Sequence, residues 1–122
     1  MILADTSIWV DHLRSNIREM RQLLDQGQIV IHPLITAELA LGSLRDRANT
    51  LVLFDLLPQA RVAQLSEIRT LIETRRLYGL GIGIIDAQLI ASVLIHPPTL
   101  LWTRDKLLRS VAERLGIHAG LA

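Results

Sequence analysis

Four acidic side chains in apolar surroundings are the residues of this sequence best suited to chemistry. Asp86 is the only formally charged side chain between Arg76 and Arg104, and an apolar run surrounds it. An ionised carboxylate in such surroundings is costly unless something compensates its charge. It must therefore face water, pair with a cationic side chain or hold a metal ion. Three further acids interrupt or follow apolar segments in the same way: Asp5, Glu38 and Asp105.

Carboxylates of this kind could share a divalent cation. Gathered without a cation they would repel one another and raise one another's pKa values. Mg²⁺ takes oxygen ligands in an octahedron and keeps several waters, so a few carboxylates are enough to hold it. Water activated by such an ion is a better nucleophile, and the ion stabilises charge on a phosphate undergoing displacement. The four acids therefore predict a magnesium site for phosphate chemistry, provided that the fold brings them together.

The composition restricts the class of protein and the kind of partner. The chain has 122 residues, of which 50% are hydrophobic, so we predict one domain over residues 1–122 with a single core. Its 13 basic and 12 acidic residues leave a formal charge of +1, which is not that of a basic nucleic-acid coat. All the basic residues except Lys106 are arginines, however, and arginine binds phosphates in a fork. Aromatic residues make up only 3%, which argues against extensive base stacking.

Residue usage also argues against other kinds of site and location. The absence of cysteine excludes disulfides and thiolate zinc sites and fits a cytoplasmic location. The four histidines lack paired-ligand spacing, so we expect no zinc site. We expect no signal peptide, and we interpret Leu80–Ile95 as a buried helix because it is short for a membrane span and Asp86 interrupts it. Trp9 and Trp102 lie in apolar segments and are predicted to be core residues.

Short apolar segments alternate with helical patterns along the chain. The strand candidates are Ile2–Ala4, Gln28–His32, Val62–Leu65, Thr99–Thr103 and Ile117–Ala119. Apolar residues recur at helical spacing between them, and Ser66 is expected to cap a helix that runs to about Tyr78. This alternation indicates an α/β fold, a three-layer α/β/α sandwich with a mainly parallel central sheet.

The predicted elements place the four acids near one edge of that sheet. Asp5 lies at the end of the first strand, and Asp105 lies two residues past the end of the Thr99–Thr103 strand. Glu38 lies in the helix after the second strand, and Asp86 lies near the start of the helix before the Thr99 strand. Ligands of open parallel sheets bind beyond the carboxyl ends of the strands. All four acids could therefore reach one site there.

These acids and their neighbours resemble the motifs of the PIN-domain nucleases. The motifs are Asp5-Thr6-Ser7, Glu38 in Thr36-Ala-Glu-Leu-Ala, Asp86 in Ile84-Ile-Asp-Ala-Gln-Leu-Ile-Ala and Asp105 in Trp102-Thr-Arg-Asp-Lys. Each motif alone is weak, but the four in this order are fairly specific, and the resemblance covers essentially the whole chain. The small size and the start directly on the first strand are most similar to the VapC toxins of bacterial toxin–antitoxin pairs.

The resemblance implies a Mg²⁺- or Mn²⁺-dependent endoribonuclease that acts as the toxin of a type II toxin–antitoxin pair. Its metal-binding acids would be Asp5, Glu38, Asp86 and Asp105, with Ser7 and Thr103 as supporting oxygens. It also implies a homodimer and a small VapB-type antitoxin whose tail covers the acidic pocket. Many relatives carry a further acid two residues after the last Asp, where this chain has Leu107, which leaves open whether one metal ion or two are bound.

Several basic side chains could contact the phosphates of an RNA substrate. Arg104 and Lys106 flank Asp105, where they could be solvated, form ion pairs that balance the acids, or contact substrate phosphates. Arg14, Arg18 and Arg21 recur at helical spacing, and they could form either a solvated helix face or a rim for RNA.

Each acid also has a purely structural explanation. Asp5 and Asp105 could be helix N-caps, Glu38 a solvated helix residue, and Asp86 an N-terminal acid favoured by the helix dipole. It is much less plausible that all four structural explanations apply together in one α/β chain. A metal-dependent ribonuclease is therefore our principal hypothesis. The alternatives are a receiver-like phosphoacceptor domain, which leaves Glu38 and Asp86 unexplained, and a non-catalytic dimerisation or binding module. Asp11 is expected to face solvent.

Overall fold

The fold is an open parallel sheet surrounded by helices, described here by a computed structural model of residues 1–122. Its elements are β1 (Ile2–Ala4), α1 (Thr6–Ser15), α2 (Arg18–Asp25), β2 (Ile29–Val30), α3 (Pro33–Leu41), α4 (Arg47–Leu56), α5 (Leu65–Thr74), α6 (Ile84–Leu94), β3 (Leu100–Trp102) and α7 (Lys106–Arg114).

The three strands lie in the order β2-β1-β3, and both pairings are parallel. Ile2 of the central strand is in register with Ile29 on one side and Leu100 on the other. Each crossover between parallel strands is helical, and the helices cover the sheet. The predicted α/β sandwich with a parallel sheet is therefore confirmed, and the carboxyl ends of all three strands lie at one edge.

Apolar burial follows the sequence pattern. Twenty-two buried residues form the main hydrophobic cluster, and Trp9 and Trp102 belong to it as predicted. The apolar run after Gly83 forms α6, whose residues from Ala87 to Val93 are all buried. No helix in the chain has the length and apolar character needed to cross a membrane.

Of the predicted strands, one is wrong and another is reduced to a single bridge. Val62–Leu65 forms no strand, because side-chain rather than main-chain groups satisfy its backbone: the Ala63 N–H donates to Gln88 Oε1 at 2.8 Å, and Gln88 Nε2 donates to the Ala63 carbonyl at 2.9 Å. Ile117–Ala119 contributes only an isolated parallel bridge between His118 and Leu101.

The boundaries of α5 also differ from the prediction. The helix begins at Leu65 and ends at Thr74, so Ser66 lies inside it and Tyr78 lies beyond it. The Gln64 N–H donates to the Glu67 carboxylate at 2.9 Å, half of a capping-box arrangement that starts the helix before Ser66.

The amide of Gln88 fixes α6 to the segment before α5, and this contact can be tested. Replacing Gln88 by Met keeps the side-chain volume but leaves the buried N–H and C=O of Ala63 without partners. We expect the free energy of unfolding to fall by about 2–4 kcal/mol, since each orphaned buried group costs roughly 1–3 kcal/mol. Urea denaturation measures this. Gln22→Met, on the exposed face of α2, is the matched control and should change stability little; equal effects of the two substitutions would contradict the assignment.

Candidate active site

Asp5 is a buried carboxylate at the carboxyl end of the central strand. It follows β1 directly, and only 6% of its surface is exposed. Its Oδ1 accepts hydrogen bonds from the Ile8 N–H at 3.2 Å, as the N-cap of α1, and from Ser7 Oγ at 2.5 Å. Its Oδ2 accepts a hydrogen bond from Thr103 Oγ1. Burial raises the pKa of Asp5, and these hydrogen bonds oppose the rise.

The two hydroxyls around Asp5 tie it to the loop after β3. Thr103 Oγ1 accepts the Asp105 N–H at 3.0 Å, and Ser7 Oγ accepts the Arg104 N–H at 3.0 Å. Each hydroxyl thus donates to Asp5 and accepts from the loop. Ser7 and Thr103 therefore position Asp5 and Asp105 relative to each other, and a direct role as metal ligands stays a prediction.

Glu38 lies half-buried on α3 and reaches the start of α1. Thr6 Oγ1 donates to Glu38 Oε1 at 2.7 Å, which places this carboxylate beside the residue that follows Asp5. The start of α3 is fixed by His32, whose Nδ1 accepts the Leu34 N–H at 3.0 Å. Burial lowers the pKa of His32, which keeps the imidazole neutral and able to accept that bond.

Asp86 is the third residue of α6, and the negative charges of the other three acids affect its pKa. Burial is the main cause that raises its pKa, followed by the negative charge of Asp105; the charges of Asp5 and Glu38 add to the rise, and a backbone hydrogen bond at Gly83 partly opposes it. The four carboxylates therefore lie within electrostatic reach of one another at one end of the sheet.

Asp105 caps α7 and is exposed. Its Oδ1 accepts the Leu108 N–H at 2.9 Å, so the structural role considered from the sequence is present. Leu107, where the family resemblance led to the expectation of a possible further acid, packs beside the glycine loop that precedes α6: a Cβ added to Gly81 would lie 3.3 Å from Leu107 Cδ2. This side chain supplies apolar contact in place of an oxygen ligand.

No basic side chain compensates the four acids. The two ion pairs of the chain join Arg104 to Asp11 at 2.9 Å and Arg109 to Glu113 at 3.0 Å, and neither includes an acid of the cluster. Of the three possibilities for a carboxylate in apolar surroundings, pairing with a cationic side chain is thereby excluded, and water or a metal ion remains.

The donor set fits a hard divalent cation that keeps part of its hydration. All the candidate metal ligands are carboxylate oxygens, and some of these carboxylates remain open to solvent. Burial raises the pKa of Asp86, and the charges of the other three acids add to the rise. No three of the acidic or histidine side chains are gathered tightly enough to form a ready-made metal cage. Mg²⁺ does not need such a cage, since it is commonly held by one or two carboxylates while waters fill its other positions.

The flanking basic residues have different environments. Arg104 donates to Asp11 and, through Nε, to the Ala122 carbonyl at 3.1 Å. Asp11, expected to face solvent, is thus the partner of Arg104, which sequence spacing could not have indicated because 93 positions separate the two. Lys106 is exposed and forms no ion pair. Thr6 was also missed as a contact of Glu38, and the only signal for it is its place between Asp5 and Ser7.

Comparison with known proteins agrees with this arrangement. The family model for the PIN domain matches residues 2–114. The chain belongs to the PIN-domain family. It is also similar to Ribonuclease VapC32 from two strains of Mycobacterium tuberculosis, CDC 1551 / Oshkosh and H37Rv, with 41% identity over 117 residues in each case. The alignments cover 96% of this chain and 94% of each relative. The resemblance to VapC-type PIN proteins is thereby confirmed, and the receiver-like alternative loses its support.

The burial of Asp86 and the repulsion by its acidic neighbours predict a pH-dependent gain in stability for Asp86→Asn. The raised pKa means that the folded, metal-free protein is destabilised as pH rises above the ordinary aspartate value of 3.8, where the unfolded chain ionises freely. In EDTA we expect Asp86→Asn to melt a few degrees higher than the parent near neutral pH. Below about pH 2.8, one unit under the ordinary aspartate pKa, the carboxyl is largely neutral in both states, so the two melting temperatures should converge.

Thermal melts in EDTA across this pH range measure the effect. Asp25→Asn, an exposed acid at the end of α2, is the control and should show no such pH-dependent gain. A lower melting temperature of Asp86→Asn at neutral pH would show that favourable contacts of Asp86 outweigh the repulsion.

Proposed function

We propose that this chain is a metal-dependent endoribonuclease and the toxin of a type II toxin–antitoxin pair. The observation that carries the proposal is a set of four carboxylates at the carboxyl edge of the sheet, in which Asp86 feels the negative charge of the other three and no basic side chain forms an ion pair with any of them. The relatives named Ribonuclease VapC32 support RNA as the substrate.

In this proposal Asp5, Glu38, Asp86 and Asp105 bind Mg²⁺ or Mn²⁺. Asp5 is the fixed member, because three donors hold its two oxygens. Asp105 and Asp86 approach from the starts of α7 and α6, where the helix dipoles favour negative charge. A bound divalent ion would supply Lewis-acid stabilisation of charge on the phosphate.

The remaining groups orient this set and the substrate. Ser7 and Thr103 hold Asp5 in place through their hydroxyls, and Thr6 holds Glu38. Lys106 is free to contact a substrate phosphate, whereas Arg104 would first have to leave Asp11. No histidine lies among the groups of this site, so proton transfer would fall to the carboxylates and water.

Exposed apolar side chains support the partner proposals, a VapB-type antitoxin and a homodimer. Leu41 at the end of α3 is 90% exposed and Leu56 of α4 is 75% exposed, and Val52 and Leu53 on α4 are also exposed. Large apolar side chains grouped on an outer face are typical of a protein interface.

Substitution of the acids tests the activity. We expect Asp5→Asn and Asp86→Asn to lower cleavage of total RNA in Mg²⁺ by at least about a thousandfold, which corresponds to about 4 kcal/mol of transition-state stabilisation. Circular dichroism should show an unchanged fold, and EDTA should abolish the activity of the parent chain. Asp25→Asn is the matched control and should cleave normally. Full activity of Asp86→Asn would refute the assignment.

Metal binding can be measured without any substrate. Titration with Mn²⁺, followed by the electron paramagnetic resonance signal of the free ion, should reveal saturable binding in the parent chain. Asp5→Asn should weaken it more than Asp105→Asn, because Asp5 is held in place by three donors while Asp105 is exposed. Binding that is unchanged in both variants would place the ion elsewhere.

A further inference from the structure

A cleft adjoins the acidic site on the side of α1 and α3. It has a volume of about 570 Å³, within the roughly 300–1,000 Å³ of typical small-ligand pockets. Thr6 and Glu38, which are hydrogen-bonded to each other, form part of its wall, so the cleft opens directly beside the carboxylates. Val10, Leu13 and Leu44 supply an apolar surface along it.

Two arginines line this cleft with their charges uncompensated. Arg14 comes from the last turn of α1, and Arg45 comes from the segment between α3 and α4. Neither guanidinium takes part in an ion pair or in a side-chain hydrogen bond. Two guanidinium groups without an ion-pair partner thus lie immediately next to a site of net negative charge.

The segment that carries Arg45 is held in place, while the Arg45 head is free. Arg47 donates to the carbonyls of Gly42 at 3.1 Å and of Ala40, which ties the start of α4 to the end of α3. Thr50 Oγ1 donates to the Arg45 carbonyl at 2.8 Å. The backbone at Arg45 is therefore fixed before any ligand arrives, which lowers the entropy lost on binding.

We propose that the cleft is a substrate subsite, in which Arg14 and Arg45 bind the phosphate next to the one being cleaved and the apolar wall contacts its sugar or base. The inference rests on the proposed ribonuclease function and adds a location and two residues to it. Charge complementarity favours RNA here over a protein segment, because the free groups are guanidinium forks suited to phosphate. A cation held by the neighbouring carboxylates would attract the adjoining phosphate.

The salt dependence of RNA binding tests this subsite. The probe is a fluorescein-labelled decaribonucleotide of random sequence, bound in EDTA to protein carrying Asp86→Asn so that the strand stays intact. Adding Arg14→Ala and Arg45→Ala should weaken binding at least tenfold at about 50 mM salt. It should also reduce the slope of log K against log salt by about 0.7, since the two arginines bind one phosphate and each phosphate contact on a single strand contributes about 0.7.

The matched control removes two other arginines, Arg61 and Arg69, which are exposed, form no ion pair and do not line the cleft. That variant should bind the RNA probe with the affinity and the salt slope of the parent, apart from the small change expected from its lower net charge. In the cleaving background, Arg14→Ala with Arg45→Ala should raise KM for RNA more than it lowers kcat, with Mn²⁺ binding unchanged.

The outcomes separate the two proposals. If the parent chain cleaves RNA but the cleft variant keeps its KM and salt slope, the subsite is wrong and the ribonuclease function stands. If the parent cleaves no RNA under Mg²⁺ or Mn²⁺, the ribonuclease function itself is wrong. If the cleft variant binds RNA normally but no longer holds a co-expressed antitoxin, the cleft is a protein-docking surface and the subsite proposal is overturned.

Discussion

The fixed position of Asp5 at the end of the central strand is the constraint on which the rest of the site depends. A buried carboxylate loses the hydrogen bonds of water, and here the Ile8 N–H and two hydroxyls replace some of them. These hydrogen bonds oppose the rise in the pKa of Asp5 that burial causes. Those hydroxyls belong to Ser7 after β1 and Thr103 after β3, so the pairing of two parallel strands is what brings the donors to one carboxylate. Any slip in that register would separate Thr103 from Asp5 and release the Asp105 loop.

Around that fixed group the fold gathers negative charge and leaves it uncompensated. The two helices that present Asp86 and Asp105 do so from their first turns, and α6 is anchored by the buried amide of Gln88. Arg104 lies next to Asp105 in sequence, yet it is directed to Asp11 and the Ala122 carbonyl. Burial raises the pKa of Asp86, and the charges of Asp105, Asp5 and Glu38 add to the rise because no basic side chain neutralises them.

The sequence predicted those parts of the fold for which the signal is local. Asp5 and Asp105 mark helix starts that the structure confirms, because a cap depends on a few consecutive residues. The strand predicted at Val62–Leu65 is wrong because the backbone hydrogen bonds of Ala63 are made with the side chain of Gln88, 25 positions away, and not with another strand. The pairing of Arg104 with Asp11 and the contact of Thr6 with Glu38 escaped prediction for the same reason.

The sequence by itself determined which acids lie in apolar segments, where the strands and helices alternate, and which family the motifs resemble, since all of these are carried by residue type and short-range spacing. Only the tertiary structure decided that no basic side chain neutralises the four carboxylates, that Ser7 and Thr103 hold Asp5, and that Arg14 and Arg45 face one cleft beside Glu38. These are contacts between distant segments. Their distances follow from how the helices pack on the sheet, which the order of residues along the chain does not state.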